Sequence, residues 1–591
     1  MVEKPTNETT GSAKVELRDP YESGSLWRPV WPLLALAAAV LLLFLTVPYR
    51  QDMWWSDASR HSLDGAFYRD LLRHPSILFH LRQFAINYYL HYPALSILFY
   101  PPMFPVVESV FFGVFGVSTF TALLTVACFY LALAIGCYLL SRRWMRPIPA
   151  LAATLLFIGA PEVAFWGRQV MLEIPAYTFL VWAAYLLFRY KDTGRPLFLY
   201  AFVTVFSLGL YTKQTIAFMA PVYAWMLWSR KGFSILKERQ VWFGAGLFAL
   251  LLAPLMVLTY QFGRFNAVSV SGGSWAPYPL TSIQNWLYYA SRFPSQLGWP
   301  TAILAALSLL AVVFAGRESL LAHAKSGTLR NWLTDETMFV LGWFIVGYLF
   351  FSLIALKYQR YTVFILFPLA FFTVRLFERV LPATAAALCA LTFASAALGY
   401  TLLKEPAPYV TGYGAAVSYV SAHAPRNSVV LFSGYRDGPF IFDLRAGGKR
   451  PDLSVLRADK LLIRVAERRE RGYVELPVTE EQTSEMLNRY GVTYIVDQPN
   501  FWDDLKNMQQ LQRVLHGPQF RLVATIPVSS NQFHVDRQLE IYENLGPVNR
   551  NGGQRIRMDL PLVGASVEGT LGQTKDGEDA PSATPGSQNA P

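Results

Sequence analysis

Apolar residues in this chain come in long, nearly unbroken runs. About 20 such residues cross a bilayer as a helix. Runs of that order stand near 29–48, 119–141, 147–165, 173–190, 197–212, 215–230, 240–261, 300–316, 337–356, 360–377 and 380–402, and predict eleven membrane-spanning helices. A shorter run at 103–117 predicts a re-entrant or interfacial piece. The first run lies too far into the chain, and lacks the small-residue cleavage site, to be a removable signal peptide.

Lys and Arg in short loops set the orientation of such a bundle. Arg142, Arg143 and Arg146 share one loop, and Arg189, Lys191 and Arg195 the next but one. Arg230, Lys231, Lys237 and Arg239 follow, then Arg317, Lys325 and Arg330, then Arg375 and Arg379. The clusters fall on alternate loops, which places all of them in the cytoplasm. The long first loop, residues 166–173, 213–214, 262–299 and 357–359, and everything after 403 then lie outside it.

After residue 403 the pattern changes. "SVVLFSG", "VTYIVD", "FRLVATIPV" and "LEIYEN" read as strands, and "TEEQTSEMLNRYG" as a helix capped by Thr479 and stopped by Gly491. They predict a small α/β domain with neither a Gly-rich nucleotide fingerprint nor a nucleophile elbow. The expected organisation is a disordered cytoplasmic segment 1–27, a transmembrane domain 28–403 with its first outer loop at 49–118, an extracytoplasmic α/β domain 404–547, and a disordered tail 548–591 rich in Gly, Pro, Ser and Asp.

Composition agrees with a polytopic α-helical membrane protein. The 591 residues are 53% hydrophobic and only 15% charged, against about 25% charged in soluble domains. The formal charge of +11 sits in short clusters between apolar runs, as topology requires, and argues against nucleic-acid binding. Cys128, Cys137 and Cys389 all lie inside apolar runs, and the eight histidines form no pair at zinc-ligand spacing, so neither a disulfide framework nor a metal site is visible.

Ionisable groups at the ends of apolar runs are costly and point to function. In "WWSDASRHSLDGAFYRDLLRHP" (54–75), Asp57, Arg60, His61 and Asp64 stand at i, i+3, i+4 and i+7, one face of a helix. Leu63, Ala66 and Phe67 lie on another, and Trp54 and Trp55 serve as interfacial anchors. "FWGRQVMLEIPAYTF" adds Arg168 and Glu173, "LYTKQT" adds Lys213 in a tight turn, and "LKYQRYTVFILFP" adds Lys357 and Arg360. All stand on the outer side.

Carboxylates and cations on one membrane face suit transfer of a sugar from a polyprenyl phosphate to a hydroxyl. A carboxylate takes the acceptor proton. Lys or Arg holds the phosphate as negative charge develops on it. The outer loop 262–299 offers Trp275, Tyr278, Trp286, Tyr288 and Tyr289 as faces for a sugar ring or as part of an interfacial belt. His61 and Asp64 are further candidate contacts for acceptor or sugar.

The same motifs carry a resemblance. "DASRHSLDGAFYRDLL" in the first outer loop, then "YPPMFPVVESVFFGVFG", "RQVMLEIPAYTF", "LYTKQT" and "KYQRYTVFILFP" resemble, in order, spacing and sidedness, the GT-C glycosyltransferases. Within them the chain is similar to the bacterial branch of the lipid A aminoarabinose transferase and the dolichyl-phosphate-mannose–protein mannosyltransferases, the glycosyltransferase families 39 and 83. The likeness covers roughly residues 29–402.

It implies an inverting transferase of the bacterial inner membrane that uses a polyprenyl-phosphate sugar at the extracytoplasmic face. The acceptor would be a lipid, glycan or protein. Asp57 would be the catalytic acid/base residue and Glu173 the second acidic position. Lys213 and Arg360 would bind donor phosphate. The chain departs from the family where many members carry an acidic pair, because Ala58 follows Asp57. A role needing two adjacent carboxylates, such as holding a bridged divalent metal ion, is thereby put in question. Two rival readings are a transporter or lipid flippase, whose ionisable residues would lie nearer mid-bilayer in repeated halves, and a non-catalytic scaffold.

Overall fold

The computed structural model describes residues 30–74, 79–263, 276–324, 335–448, 450–465, 469, 472–549, 554–560 and 565–571. Segment 1–27, read as disordered, lies outside them. Helix α1 (Trp31–Leu45) leads into three helices of the first long loop, α2 (Ser56–Arg73), α3 (Leu81–His91) and α4 (Met103–Phe115). The bundle continues through α5 (Thr119–Ser141), α6 (Pro147–Ile158), α7 (Pro161–Gly167), α8 (Glu173–Thr193), α9 (Pro196–Leu210), α10 (Ala220–Lys231) and α11 (Arg239–Phe262). Two short helices, α12 (Ile283–Leu287) and α13 (Phe293–Leu297), lead to α14 (Trp299–Ala324), α15 (Asp335–Leu353), α16 (Leu366–Val380) and α17 (Ala383–Lys404).

Every apolar run read from the sequence is helical, and the chain is an integral membrane protein. Among the described residues α5, α11 and α17 are each long and apolar enough to cross a membrane alone, and α6 with α7 do so as a pair bent by 69°. The bend follows Gly159 and Pro161, where the helical hydrogen bonds lapse. Freed carbonyls there find side chains: the Tyr130 hydroxyl donates to the Ile158 carbonyl, and Thr401 Oγ1 to that of Gly159 at 2.6 Å. Helix α11 turns Trp242, Phe243, Leu250 and Met256 outward, as a lipid-facing helix must.

Two predicted helices begin irregularly. Residues Gln214–Met219 precede α10, and Gln359–Ile365 precede α16, each as a run of 3₁₀ turns. Irregular backbone at membrane depth is tolerated where protein encloses it. Both segments sit beside a basic residue of the site.

The C-terminal domain contains a five-stranded mixed sheet. Its strands are β2 (Val429–Ser433), β3 (Ser454–Arg457), β6 (Val492–Asp497), β7 (Phe520–Pro527) and β9 (Gln538–Asn544), in the order β3-β2-β6-β9-β7. Short pairs β1 (Val410–Thr411) with β8 (Ser529–Ser530), and β4 (Ile463–Val465) with β5 (Tyr473–Glu475), flank it. Its helices are α18 (Tyr413–His423), α19 (Asp437–Gly447), α20 (Ala458–Leu461), α21 (Glu480–Arg489) and α22 (Lys506–Leu515). The Thr479 cap is present as a full capping box with Gln482.

Side-chain alternation along β2 divides the core. Val430 and Phe432 join α18 and α19 in a cluster continuous with the membrane bundle, while Val429 and Leu431 join α21 and α22 in a second cluster. One face of the sheet is therefore welded to the bundle.

The tail needs a correction. Residues Gln554–Leu560 (β10) and Ala565–Leu571 (β11), read as disordered, pair as an antiparallel hairpin. Ile556, Met558, Val567 and Leu571 alternate inward and are buried, a period-two pattern that the Gly- and Ser-rich composition obscured. Gly569 approaches α3 so closely that a Cβ there would meet Leu90 Cδ1 at 2.3 Å.

Candidate active site

Four segments that stand as far apart in the sequence as Asp57 and Arg360 meet at one cluster. Glu173 opens α8, Lys213 stands just before the first 3₁₀ run, Arg360 is the second residue of the other, and Asp57 lies in the first turn of α2. Lys213 Nζ donates to Glu173 Oε1 at 2.6 Å. The Arg360 guanidinium lies between the two carboxylates, 3.8 Å from Glu173 Oε1 and 3.6 Å from Asp57 Oδ2. These distances balance charge but exceed hydrogen-bond length. Arg360 Nε accordingly has no hydrogen-bond partner among the described residues.

The two acids differ. Glu173 is wholly buried, whereas a quarter of the Asp57 side chain is exposed, so only Asp57 can meet a substrate directly. Burial alone would raise the Asp57 pKa. Arg360 first, and Arg60, with a 3.2 Å bond from Trp55 Nε1, outweigh that and hold its carboxyl below the usual value. Trp55 also lies under Arg360, with its ring centroid 5.6 Å from the guanidinium carbon. Among the described residues no three His, Cys, Asp or Glu side chains gather as a metal-ligand set.

Residues 100–258 match the family model for dolichyl-phosphate-mannose-protein mannosyltransferase, a stretch that includes Glu173 and Lys213. The fold is similar to that of ArnT from Cupriavidus metallidurans, solved in the apo state (TM-score 0.57, 13% identity) and bound to undecaprenyl phosphate (TM-score 0.54, 14% identity). Each comparison covers 88% of this chain and 99% of that one. The chain thus shares the ArnT-like fold. No curated protein matches it in sequence.

The other sequence candidates lie at varying removes from the cluster. His61 is buried, with Tyr100 and Phe104 edge-on at 4.5 and 6.4 Å, and burial lowers its pKa to about 4, so the imidazole is neutral. Asp64 turns away, accepting bonds from Ser96 N and Oγ at 2.7 Å each. Lys357 directs its ammonium to the carbonyls of Ser352 and Ile354, both at 2.7 Å, where α15 ends. Arg168 ties Thr46 and the Glu405 carbonyl together. The structure brings neither cation into the cluster. Trp286 closes its own loop through Leu280 at 2.9 Å, Tyr278 lies 6.3 Å from Tyr288, and Trp275 is outside the described residues.

Two further residues take part in the cluster, and a third acid lies buried on the neighbouring α4. Trp55 looked like a lipid anchor, yet it touches both Asp57 and Arg360. Tyr100, at the head of a quoted motif, faces Asp57 and Arg360. Glu108, a lone carboxyl inside an apolar run, is fully buried, with Oε1 taking a 3.0 Å bond from Ser62. Its Oε2 lies where a side chain at Gly65 would clash at 2.3 Å, so α2 and α4 pack this closely only with glycine there. A carboxylate isolated in an apolar run was the available signal.

Proposed function

We propose that this protein transfers a sugar, with inversion, from a polyprenyl-phosphate donor to a hydroxyl of a lipid, glycan or protein at the extracytoplasmic face of the plasma membrane. The observation that carries the reading is the chain of contacts Asp57–Arg360–Glu173–Lys213. It couples one accessible carboxylate to two cations that still have hydrogen bonds to give. Asp57 takes the proton of the acceptor hydroxyl, whose oxygen attacks the anomeric carbon from the side opposite the phosphate. The bond from that carbon to the phosphate oxygen breaks, and its electron pair stays on the phosphate. The Arg360 guanidinium and the remaining ammonium protons of Lys213 stabilise this charge. Buried Glu173 fixes both cations and leaves a donor phosphate to displace only the weaker contacts. The undecaprenyl phosphate in one ArnT structure supports this class of donor. The alternating Lys and Arg clusters support the side of the membrane.

The test is turnover by purified protein of undecaprenyl phosphate carrying mannose or a pentose, read as released undecaprenyl phosphate. Asp57→Asn should lower kcat by at least about 100-fold with the folded protein intact. Near-normal turnover in that variant would remove Asp57 as the base.

A further inference from the structure

Behind the candidate base, α2 is gripped by the C-terminal domain. Arg60, one turn after Asp57, gives NH2 to both oxygens of Asp437 at 3.1 Å each, and its Nε has no partner among the described residues. Asp437 also takes Arg457 NH1 at 2.5 Å, and Arg457 in turn pairs with Asp459 at 2.9 and 2.7 Å. Two arginines and two aspartates thus pair off, which leaves Arg360 as the strongest cation on Asp57. Asp437 opens α19, and the next residue, Gly438, lies so close to α2 that a Cβ would meet Ser59 Oγ at 2.3 Å. Separate contacts hold the same interface: Arg445 to Asp70 at 2.5 Å and Arg436, itself anchored within the domain by Asp536, to the Trp54 carbonyl at 3.3 Å. Loss of Asp437 alone therefore does not undock the domain.

We propose that Asp437 is a positioning residue for the transfer reaction: by holding Arg60 it keeps that guanidinium off Asp57 and preserves the pairing of Asp57 with Arg360. The proposal rests on Asp57 being the base. Without the Asp437 charge, Arg60 keeps a buried positive charge whose nearest available anion is Asp57, at i−3 on the same helix face. The groups facing Asp57 are Arg60, His61 and Trp55 from its own segment, Tyr100 from the turn before α4, Arg360, and, through longer-range charge, Lys213. A diverted Arg60 adds a second cation to a carboxylate that Arg360 already holds low, making it a weaker base and obstructing the acceptor.

In full-length protein, Asp437→Asn should lower kcat at least about fivefold and move the acid limb of its pH profile down by on the order of one unit. KM for the lipid-linked sugar should change little. Arg60→Gln added to Asp437→Asn should restore most of kcat and the original limb, because the diverted cation is gone. Arg457→Gln weakens the same interface yet leaves Arg60 held, and should leave the limb in place. A limb unmoved in Asp437→Asn, a double variant no better than the single, or the same shift in Arg457→Gln would each overturn the proposal. Difference infrared spectroscopy of the Asp57 carboxyl band against Asp57→Asn follows the same titration without substrate. An unshifted band in Asp437→Asn removes this inference alone, whereas full turnover by Asp57→Asn removes the catalytic reading beneath it.

Discussion

At the scale of single residues, the site turns on which charges are spent and which are free. Arg360 is charge-balanced by two acids yet short of hydrogen bonds, the state in which a guanidinium best receives phosphate oxygens. Its second task is to keep Asp57 ionised. A base works only when deprotonated, so activity should persist to a pH below the ordinary carboxylate range and fall as Asp57 gains its proton. With Arg360→Gln the burial that raises the Asp57 pKa loses its strongest opponent. The acid limb should then move up, the direction opposite to that expected for Asp437→Asn, while KM for the donor rises. A pH series of kcat on both variants checks the two signs together.

At the scale of elements, α2 carries, two turns apart on one face, two acids with opposite environments. Asp57 meets cations closely, whereas Asp64 takes its hydrogen bonds from Ser96, and burial, which outweighs those bonds and the Arg60 charge, raises its pKa to about 7. An unfolded aspartate releases its proton near pH 4, so between about pH 4 and 7 the folded state binds the extra proton. Stability contributed by Asp64 is therefore complete below that window and lost as pH rises through it. Asp64→Asn should flatten the fall in Tm across this range, measured by thermal unfolding in detergent. In the C-terminal domain, Thr479→Ala removes the hydroxyl that caps α21 and should cost about 1 kcal/mol, read as a lower Tm of the domain's transition.

At the scale of the whole molecule, the α/β domain shares one buried cluster with the bundle, and its acids reach the helix that carries the candidate base. The fold thus makes the domain part of the site's frame. The expected topology places this domain outside the cytoplasm and the Lys237 loop inside. A membrane-impermeant maleimide on intact spheroplasts should label Lys506→Cys and leave Lys237→Cys unlabelled until the membrane is opened. Labelling in the reverse order would invert the bundle.

Much was legible in the linear chain because much of it is local. Apolar runs mark helices wherever about 20 residues must bury their backbone in lipid, and short runs of strand-forming residues marked four of the strands in the C-terminal sheet. The β10–β11 hairpin alternates with period two and was hidden by composition. The choice among cations was not local. Lys357 and Arg360 stand three residues apart with the same apparent credentials, and the end of α15 captures one while the 3₁₀ turn delivers the other to Asp57 and Glu173. Likewise nothing near Arg60 in the chain announces Asp437, 377 positions away. Helix and strand formation follow from neighbours within a few residues, whereas the convergence of separate loops depends on how finished elements pack, and packing assigned each charge its partner.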